Sequence, residues 1–77
     1  MTMRYWAIRP KEYPVQYTRI EKAATSYEAC RLAFGPPGNP ANYIAKDLGT
    51  RVAVIHSDKK RIALLTDPNN WVPLSRV

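Results

Sequence analysis

Hydrophobic spacing along the chain predicts several short strands around one helix. Residues 4–9 (RYWAIR) and 15–23 (VQYTRIEKA) are rich in aromatic and β-branched residues, and the second segment alternates apolar with polar positions, which is typical of strands. The five residues between them, PKEYP, suit the turn of a hairpin. Because the first strand carries bulky side chains on both faces, we expect it to lie inside a sheet.

A helix is predicted over residues 25–34. Thr25 and Glu28 fit a T-x-x-E capping box, in which each side chain binds the backbone N–H of the other. The apolar face of this helix then consists of Tyr27, Cys30, Ala33 and Phe34. Gly35 stands where a left-handed C-cap is needed, and the two prolines that follow prevent continuation.

The second half of the chain contains one ambiguous segment and three further strands. Residues 40–48 can form a helix between Asn39 and Gly49, or a strand over 43–46, and the caps slightly favour the helix. Residues 51–56 (RVAVIH) and 61–66 (RIALLT) predict an antiparallel hairpin around a polar turn. A last, short edge strand is expected over the segment WVPL, where proline limits its length.

These elements predict a single domain, 1–77, of the α+β class. The expected architecture is a small, mainly antiparallel sheet with one helix packed on one face, in the order ββαββ, with the option of a second short helix at 40–48. The sheet face away from the helix is then partly exposed, and we expect function there.

The charge balance points to an anionic partner. The chain has 12 Lys and Arg against 6 Asp and Glu, a net charge of +6. Such a charge attracts nucleic acid or an acidic protein surface. No apolar run approaches the roughly 20 residues that a membrane helix needs, and the N-terminal segment lacks a signal-peptide core. A single cysteine forms no internal disulfide, so the sequence predicts a reducing cytoplasm and no membrane partner.

The sequence predicts neither an enzyme nor a cofactor or metal site. Cys30 lies on the apolar helix face beyond the first turn, where a cysteine behaves as a small hydrophobe and its thiolate is not favoured. His56 is the only histidine, and its spacing gives it no catalytic partner. One cysteine and one histidine do not supply the paired ligands of structural zinc.

Basic residues interleaved with aromatic ones are the remaining candidate for function. Sheets that bind single-stranded nucleic acid use aromatic platforms flanked by cations. The candidate contacts to a nucleic acid or an acidic partner are Arg4, Trp6, Arg9, Lys11, Tyr17, Arg19, Lys59, Lys60 and Arg61. The alternative is that the aromatic residues form the core and that the last three cations form a solvated turn.

The layout resembles that of small proteins carried by phages and mobile elements. The second strand runs into the motif A-x-S-x-E-A at residues 24–29, and a helix, a hairpin and the terminal tryptophan segment follow. Some anti-CRISPR inhibitors of type I surveillance complexes share this ββαββ order. The resemblance implies a non-catalytic protein that occludes a nucleic-acid-handling complex or binds nucleic acid itself. The alternative is a structural or assembly component, such as a small homo-oligomeric module or a ribosome-associated factor.

Overall fold

A computed structural model describes residues 2–51 and 58–76, apart from the side chains of residues 15, 58 and 60. Its elements are β1 (Arg4–Pro10), β2 (Arg19–Ala23), α1 (Ser26–Phe34), β3 (Tyr43–Gly49), α2 (Asp58–Thr66) and β4 (Val72–Pro73). Short 3-10 turns at Val15–Tyr17 and Pro40–Asn42 precede β2 and β3.

The strands form one antiparallel sheet in the order β2-β1-β3-β4. β1 pairs with β2 from Arg4 opposite Ala23 to Ile8 opposite Arg19, and its other edge pairs with β3. The interior position expected for the first strand is therefore confirmed. The α+β class, with a small antiparallel sheet and one main helix, is confirmed as well.

Helix α1 begins and ends where the sequence predicts. The Thr25 hydroxyl accepts a 3.2 Å hydrogen bond from the backbone N–H of Glu28. The second half of the capping box is not formed, since the Glu28 carboxylate instead pairs with Arg31 at 3.2 Å. Gly35 has a φ of +86°, and its N–H donates to the carbonyl of Arg31 at 3.0 Å. This left-handed backbone ends the helix at a residue without a Cβ.

The hydrophobic core lies between α1 and one face of the sheet. Its fully buried members are Ile8, Ala23, Ala29, Cys30 and Ala45, with Trp6, Phe34, Tyr43 and Leu74 packed around them. The Cys30 side chain is 0% exposed, which confirms its predicted burial. Several of these residues are small, so the helix lies close to the sheet.

The C-terminal segment completes the start of α1. The backbone N–H of Ser75 donates to the Ser26 hydroxyl at 2.7 Å, and this hydroxyl lies 3.2 Å from the Ser75 carbonyl oxygen. The same carbonyl accepts the backbone N–H of Tyr27 at 3.0 Å. Residues 49 positions apart thus satisfy polar groups that a helix start otherwise leaves unpaired.

The favoured helix at 40–48 is wrong, and the strand alternative is correct. The Asn39 side chain does accept from the N–H of Ala41, but the turn that it caps ends at Asn42. β3 follows and extends to Gly49, beyond the expected strand. A strand is favoured here because β3 lies between β1 and β4, where Ala45 and Lys46 are both buried although they face opposite sides of the sheet.

The predicted strand at 61–66 is also wrong, because these residues belong to α2. Arginine, alanine and leucine, which make up four of these six residues, are good helix formers. The Thr66 hydroxyl donates to the carbonyl of Ile62 at 2.7 Å within the last turn. Most of the predicted strand at 51–56 lies outside the described residues. The terminal edge strand is confirmed, with Pro73 opposite Ile44 on β3.

Candidate binding surface

The structure separates the predicted binding residues between the two sides of the sheet. Trp6 packs against the core beneath α1, and its indole Nε1 donates to the carbonyl of Ala23 at 3.0 Å. The sequence reasoning placed Trp6 in a stacking platform, but these contacts give it a structural role. A base cannot stack on a ring that packs against the core.

Arg4 carries a charge that the protein already neutralises. Its Nε lies 3.0 and 2.8 Å from the two carboxylate oxygens of Asp47. The Asp47 carboxylate also accepts the N–H of Gly49 at 2.8 Å, in the turn that ends β3. Arg4 therefore connects the beginning of β1 to the end of β3, and it contributes little uncompensated charge to a partner.

On the face away from α1, Trp71 receives two cations. The Arg9 guanidinium lies 4.8 Å and the Lys46 ammonium 5.8 Å from its ring centroid. Lys46 is only 2% exposed, and its Nζ donates to the carbonyls of Asp67 and Asn69 at 3.1 and 3.0 Å. Sequence reasoning missed this cluster, since nothing in the pattern marks Lys46 as a buried residue.

Arg9 also holds the connection between β1 and β2. Its Nη1 donates to the backbone carbonyl of Tyr13 at 2.8 Å, whereas its buried Nε has no hydrogen-bond partner. The guanidinium is therefore fixed between Trp71 and the connecting loop. Its position makes Arg9 a brace for the loop and leaves it poorly placed to contact a partner.

Three further cations lie over aromatic rings. Arg19 is 5.5 Å from Phe34, Lys22 is 5.5 Å from Tyr5, and Arg76 is 4.2 Å from Tyr27. Such contacts occur about once per 70–80 residues in proteins, so they are unusually frequent here. All three cations are nevertheless exposed, and their outer sides remain open to a partner.

The connection between β1 and β2 presents two tyrosines to solvent. Tyr13 is 55% and Tyr17 is 52% exposed, and their ring centroids lie 5.4 Å apart at an interplanar angle of 65°. We call these two residues the tyrosine pair. Tyr17 was predicted as a contact, whereas Tyr13 belongs to the same predicted run of basic and aromatic residues but is not among the nine predicted contacts. In the sequence, Tyr13 and Tyr17 lie on either side of Pro14, and this spacing is the feature that could have indicated the pair.

The loop that carries the tyrosine pair is fixed by backbone hydrogen bonds. The N–H of Tyr13 donates to Pro10 at 3.1 Å, and that of Tyr17 donates to Pro14 at 3.0 Å. The N–H of Lys11 donates to the carbonyl of Asn42 at 2.7 Å. A surface depression of about 420 Å³ lies beside this loop, with both Lys11 and Tyr13 in its wall.

Three exposed cations lie on β2 and in the loop that precedes it, next to the acidic residues Glu12 and Glu21. Within residues 2–51 and 58–76, three acidic side chains form ion pairs: Glu28 with Arg31 at 3.2 Å, Asp47 with Arg4 at 2.8 Å, and Asp67 with Lys46 at 3.7 Å. Lys11, Arg19 and Lys22 are exposed, and in that part of the chain they form no ion pair. We call these three residues the β2-edge cations, because Arg19 and Lys22 lie on the outer strand β2 and Lys11 lies in the loop that leads to it.

The predicted basic turn at residues 59–61 is a helical segment instead. Lys59 and Arg61 are exposed in the first turns of α2, and the side chain of Lys60 lies outside the described residues. Cations near a helix N-terminus oppose the helix dipole. This segment lies in a separate element from the tyrosine pair.

The remaining chemistry of the described chain is sparse. Burial raises the pKa of the Cys30 thiol above its ordinary value of 9.0, which disfavours the reactive thiolate. Among the described residues, no three His, Cys, Asp or Glu side chains are grouped as a metal site would need, and no helix is long and apolar enough to cross a membrane. His56 lies outside the described residues.

No protein-family model matches the chain, and no curated protein or solved structure matches it either. Function is therefore inferred from the fold, the exposed side chains and the distribution of charge.

Proposed function

We propose that the chain is a non-enzymatic binding protein of the phage or mobile-element type, which acts in the cytoplasm of a host cell by occluding a nucleic-acid-handling complex. The observation that carries this proposal is the set of β2-edge cations. Among the described residues, Glu28, Asp47 and Asp67 are engaged in ion pairs, while these three cations face solvent without one and outnumber the neighbouring acids Glu12 and Glu21. An anionic surface on a partner complements such an edge, and the electrostatic attraction raises the rate at which the two associate.

The placement of the nucleophile supports a non-catalytic role. Cys30 is enclosed between α1 and the sheet, and its thiol has a raised pKa. A substrate would have to enter the core to reach the sulfur atom. A surface that works by contact needs no such access, and a chain of this size supplies surface more readily than a deep pocket.

The first part of the element order, two strands followed by α1, supports the phage-type assignment, whereas α2 replaces the strand expected over 61–66. The described chain follows the order ββαββ if α2 is regarded as an insertion between β3 and β4. The last two strands of that order are β3 and β4, which consist of other residues than the two strands predicted from the sequence. The A-x-S-x-E-A motif has a structural role, because Thr25 caps α1 and Ser26 holds the C-terminal segment.

Affinity purification from host lysate, with and without nuclease, tests the proposal. We expect a nucleic-acid-handling complex to be retained after nuclease treatment and to be released as salt rises, because the contact is electrostatic. The combined variant Lys11→Gln, Arg19→Gln and Lys22→Gln should lose this complex. A matched variant with the same change in net charge, Arg31→Gln, Lys59→Gln and Arg76→Gln, should retain it.

Two outcomes would contradict the proposal. Equal loss of the complex in both triple variants would show that net charge matters and that the β2 edge does not. A stable homo-oligomer in light scattering, with no complex retained from lysate, would favour the structural or assembly alternative.

A further inference from the structure

We infer that the tyrosine pair, Tyr13 and Tyr17, binds single-stranded nucleic acid, with the exposed cations Lys11 and Arg19 contacting its phosphates. This inference goes beyond the proposed function, since it adds a nucleic-acid ligand at the loop between β1 and β2, whereas the complex expected from lysate is retained without nucleic acid. It distinguishes the residues that would contact the ligand from Arg9, which stabilises the loop.

The exposure of the tyrosine pair is the first argument. Tyr13 and Tyr17 are the only aromatic residues among the large exposed side chains of the described chain. The other aromatic rings are half-buried and already engaged, as with Trp6 in the core, Phe34 against Tyr43 at 5.5 Å, and Trp71 beneath two cations. Two adjacent exposed rings without a core role have a cost in solubility, which a binding function explains.

The rigidity of the loop is the second argument. Pro10 and Pro14 restrict the backbone, and both accept hydrogen bonds from the N–H groups of the tyrosines. The Arg9 guanidinium, held over Trp71, binds the carbonyl of Tyr13. The backbone that carries the rings is therefore ordered before a ligand arrives, which lowers the entropy cost of binding.

Charge around the pair identifies the ligand. Lys11 lies in the wall of the depression that Tyr13 also lines, and Arg19 follows Tyr17 by two residues at the start of β2. Phosphates need such cations, and unpaired bases stack on exposed aromatic rings. In a duplex the base faces are covered by their neighbours, and an acidic protein offers charge without regularly spaced rings. Single-stranded nucleic acid combines both features.

Glu12 provides an internal check on this arrangement. It is exposed and lines the same depression as Lys11, where its carboxylate would repel a phosphate. Glu12→Gln should therefore tighten binding of an oligonucleotide. The same substitution should leave the stability of the fold nearly unchanged, because the side chain is exposed.

The test is fluorescence anisotropy with a labelled oligothymidylate of about twelve nucleotides at low salt. Tyr13→Ala and Tyr17→Ala should each weaken binding by roughly fivefold to a hundredfold, since each removes a stacking surface. The phenylalanine variants should bind like the natural protein, because they retain the ring. Leucine variants, which keep an apolar side chain without a π-face, should bind like the alanine variants even if alanine disturbs the loop.

The salt dependence tests the cations separately. Lys11→Gln and Arg19→Gln should each reduce the slope of log affinity against log salt by about 0.7, the value for one phosphate contact on a single strand. Lys59→Gln removes the same charge from α2 and should leave the slope unchanged. Circular dichroism of each variant establishes that the fold is intact.

Three results would overturn the inference. One is wild-type affinity in the leucine variants, and another is equal competition by a duplex of the same length. The third is binding of poly-glutamate with the same dependence on the tyrosines, which would assign the pair to an acidic protein. If the oligonucleotide does not bind while the lysate complex is still retained after nuclease, this inference fails and the proposed function stands.

Discussion

The Nζ of Lys46 donates a 3.1 Å hydrogen bond to the backbone carbonyl of Asp67, and so joins β3 to the segment that follows α2. The same ammonium binds the carbonyl of Asn69, and it is almost completely buried. Lys46→Met keeps the apolar stem but leaves both carbonyls without this donor. We expect the free energy of unfolding to fall by about 1 to 3 kcal/mol.

Chemical denaturation measures this change, with Lys59→Met as the control. Lys59 is exposed on α2, so its substitution should alter the unfolding free energy by no more than about 0.5 kcal/mol. If both variants unfold at the same denaturant concentration, the buried ammonium does not hold the segment. The fluorescence of Trp71 should also shift in Lys46→Met, because one of its two cations is lost.

Stability should decrease in acid through Asp67. The pKa of the Asp67 carboxyl lies below its ordinary value of 3.8. The main cause is the backbone N–H of Asn69, which donates to the Oδ1 of Asp67 at 2.9 Å, and the charge of Lys46 adds to the effect. The folded state therefore binds this proton less readily than the unfolded state does. The contribution of Asp67 is present above pH 3.8 and is lost as pH falls through the lower, folded pKa.

Unfolding measured from neutral to acidic pH, in the natural protein and in Asp67→Asn, detects this contribution. The difference in unfolding free energy between the two proteins should be constant at neutral pH and should shrink as pH falls below 3.8. A difference that is independent of pH would mean that the carboxylate charge has no part in stability.

The contact between Ser26 and Ser75 should be important for the stability of α1. Ser26→Ala removes the acceptor of the Ser75 N–H, at a site where Ser26 is buried. We expect a loss of about 1 to 3 kcal/mol in the free energy of unfolding. Thr50→Ala removes a hydroxyl from an exposed residue and should have little effect. Equal stability of the two variants would contradict a structural role for the C-terminal segment.

Trp6 should affect stability and leave ligand binding unchanged. Trp6→Ala removes a large ring that packs against the core, and we expect it to cost about 3 to 5 kcal/mol. Trp6→Phe retains a ring but loses the hydrogen bond to Ala23, which should cost about 1 kcal/mol. If folded Trp6→Phe binds the oligothymidylate more weakly than the natural protein, the core assignment of this residue is incomplete.

Cys30 should react slowly with thiol reagents in the folded protein. The sulfur is buried and its pKa is raised, so modification by a disulfide reagent should require unfolding. Cys30→Ser should be less stable than Cys30→Ala, because serine places an additional polar hydroxyl in an apolar site. Rapid modification of the native protein, or a loss of partner binding in Cys30→Ala, would reopen a chemical role for the thiol.

Local chemistry made α1 and β1 predictable, whereas the strand predicted over 15–23 is correct only for Arg19–Ala23, because Val15–Tyr17 form a 3-10 turn. Thr25 and Gly35 each affect only the adjacent turn of α1. The hydroxyl oxygen of Thr25 caps the start of the helix, and Gly35 ends it because it has no Cβ. β1 was recognisable because apolar groups at successive positions suit a strand covered on both faces. Such features depend little on the rest of the chain.

The predictions for 40–48 and 61–66 are wrong because packing against the rest of the fold decides the structure of these segments. Ile44 and Leu48 fit one face of a helix as well as one face of a strand, and only the position of β3 beside β1 selects the strand. The segment RIALLT was assigned to a hairpin because a strand was expected before it, although its composition suits the helix that forms. The tyrosine pair depends on how the loop folds back through Arg9, which no local pattern encodes.

The link between Ser26 and Ser75 also has a consequence for the order of events during synthesis. A ribosome completes Ser26 long before Ser75, which is 49 positions later. During that interval the start of α1 lacks the groups that will satisfy it, and the nascent helix is exposed to fraying. The polar groups at the start of α1 are therefore fully paired only after Ser75 has been synthesised and has left the exit tunnel.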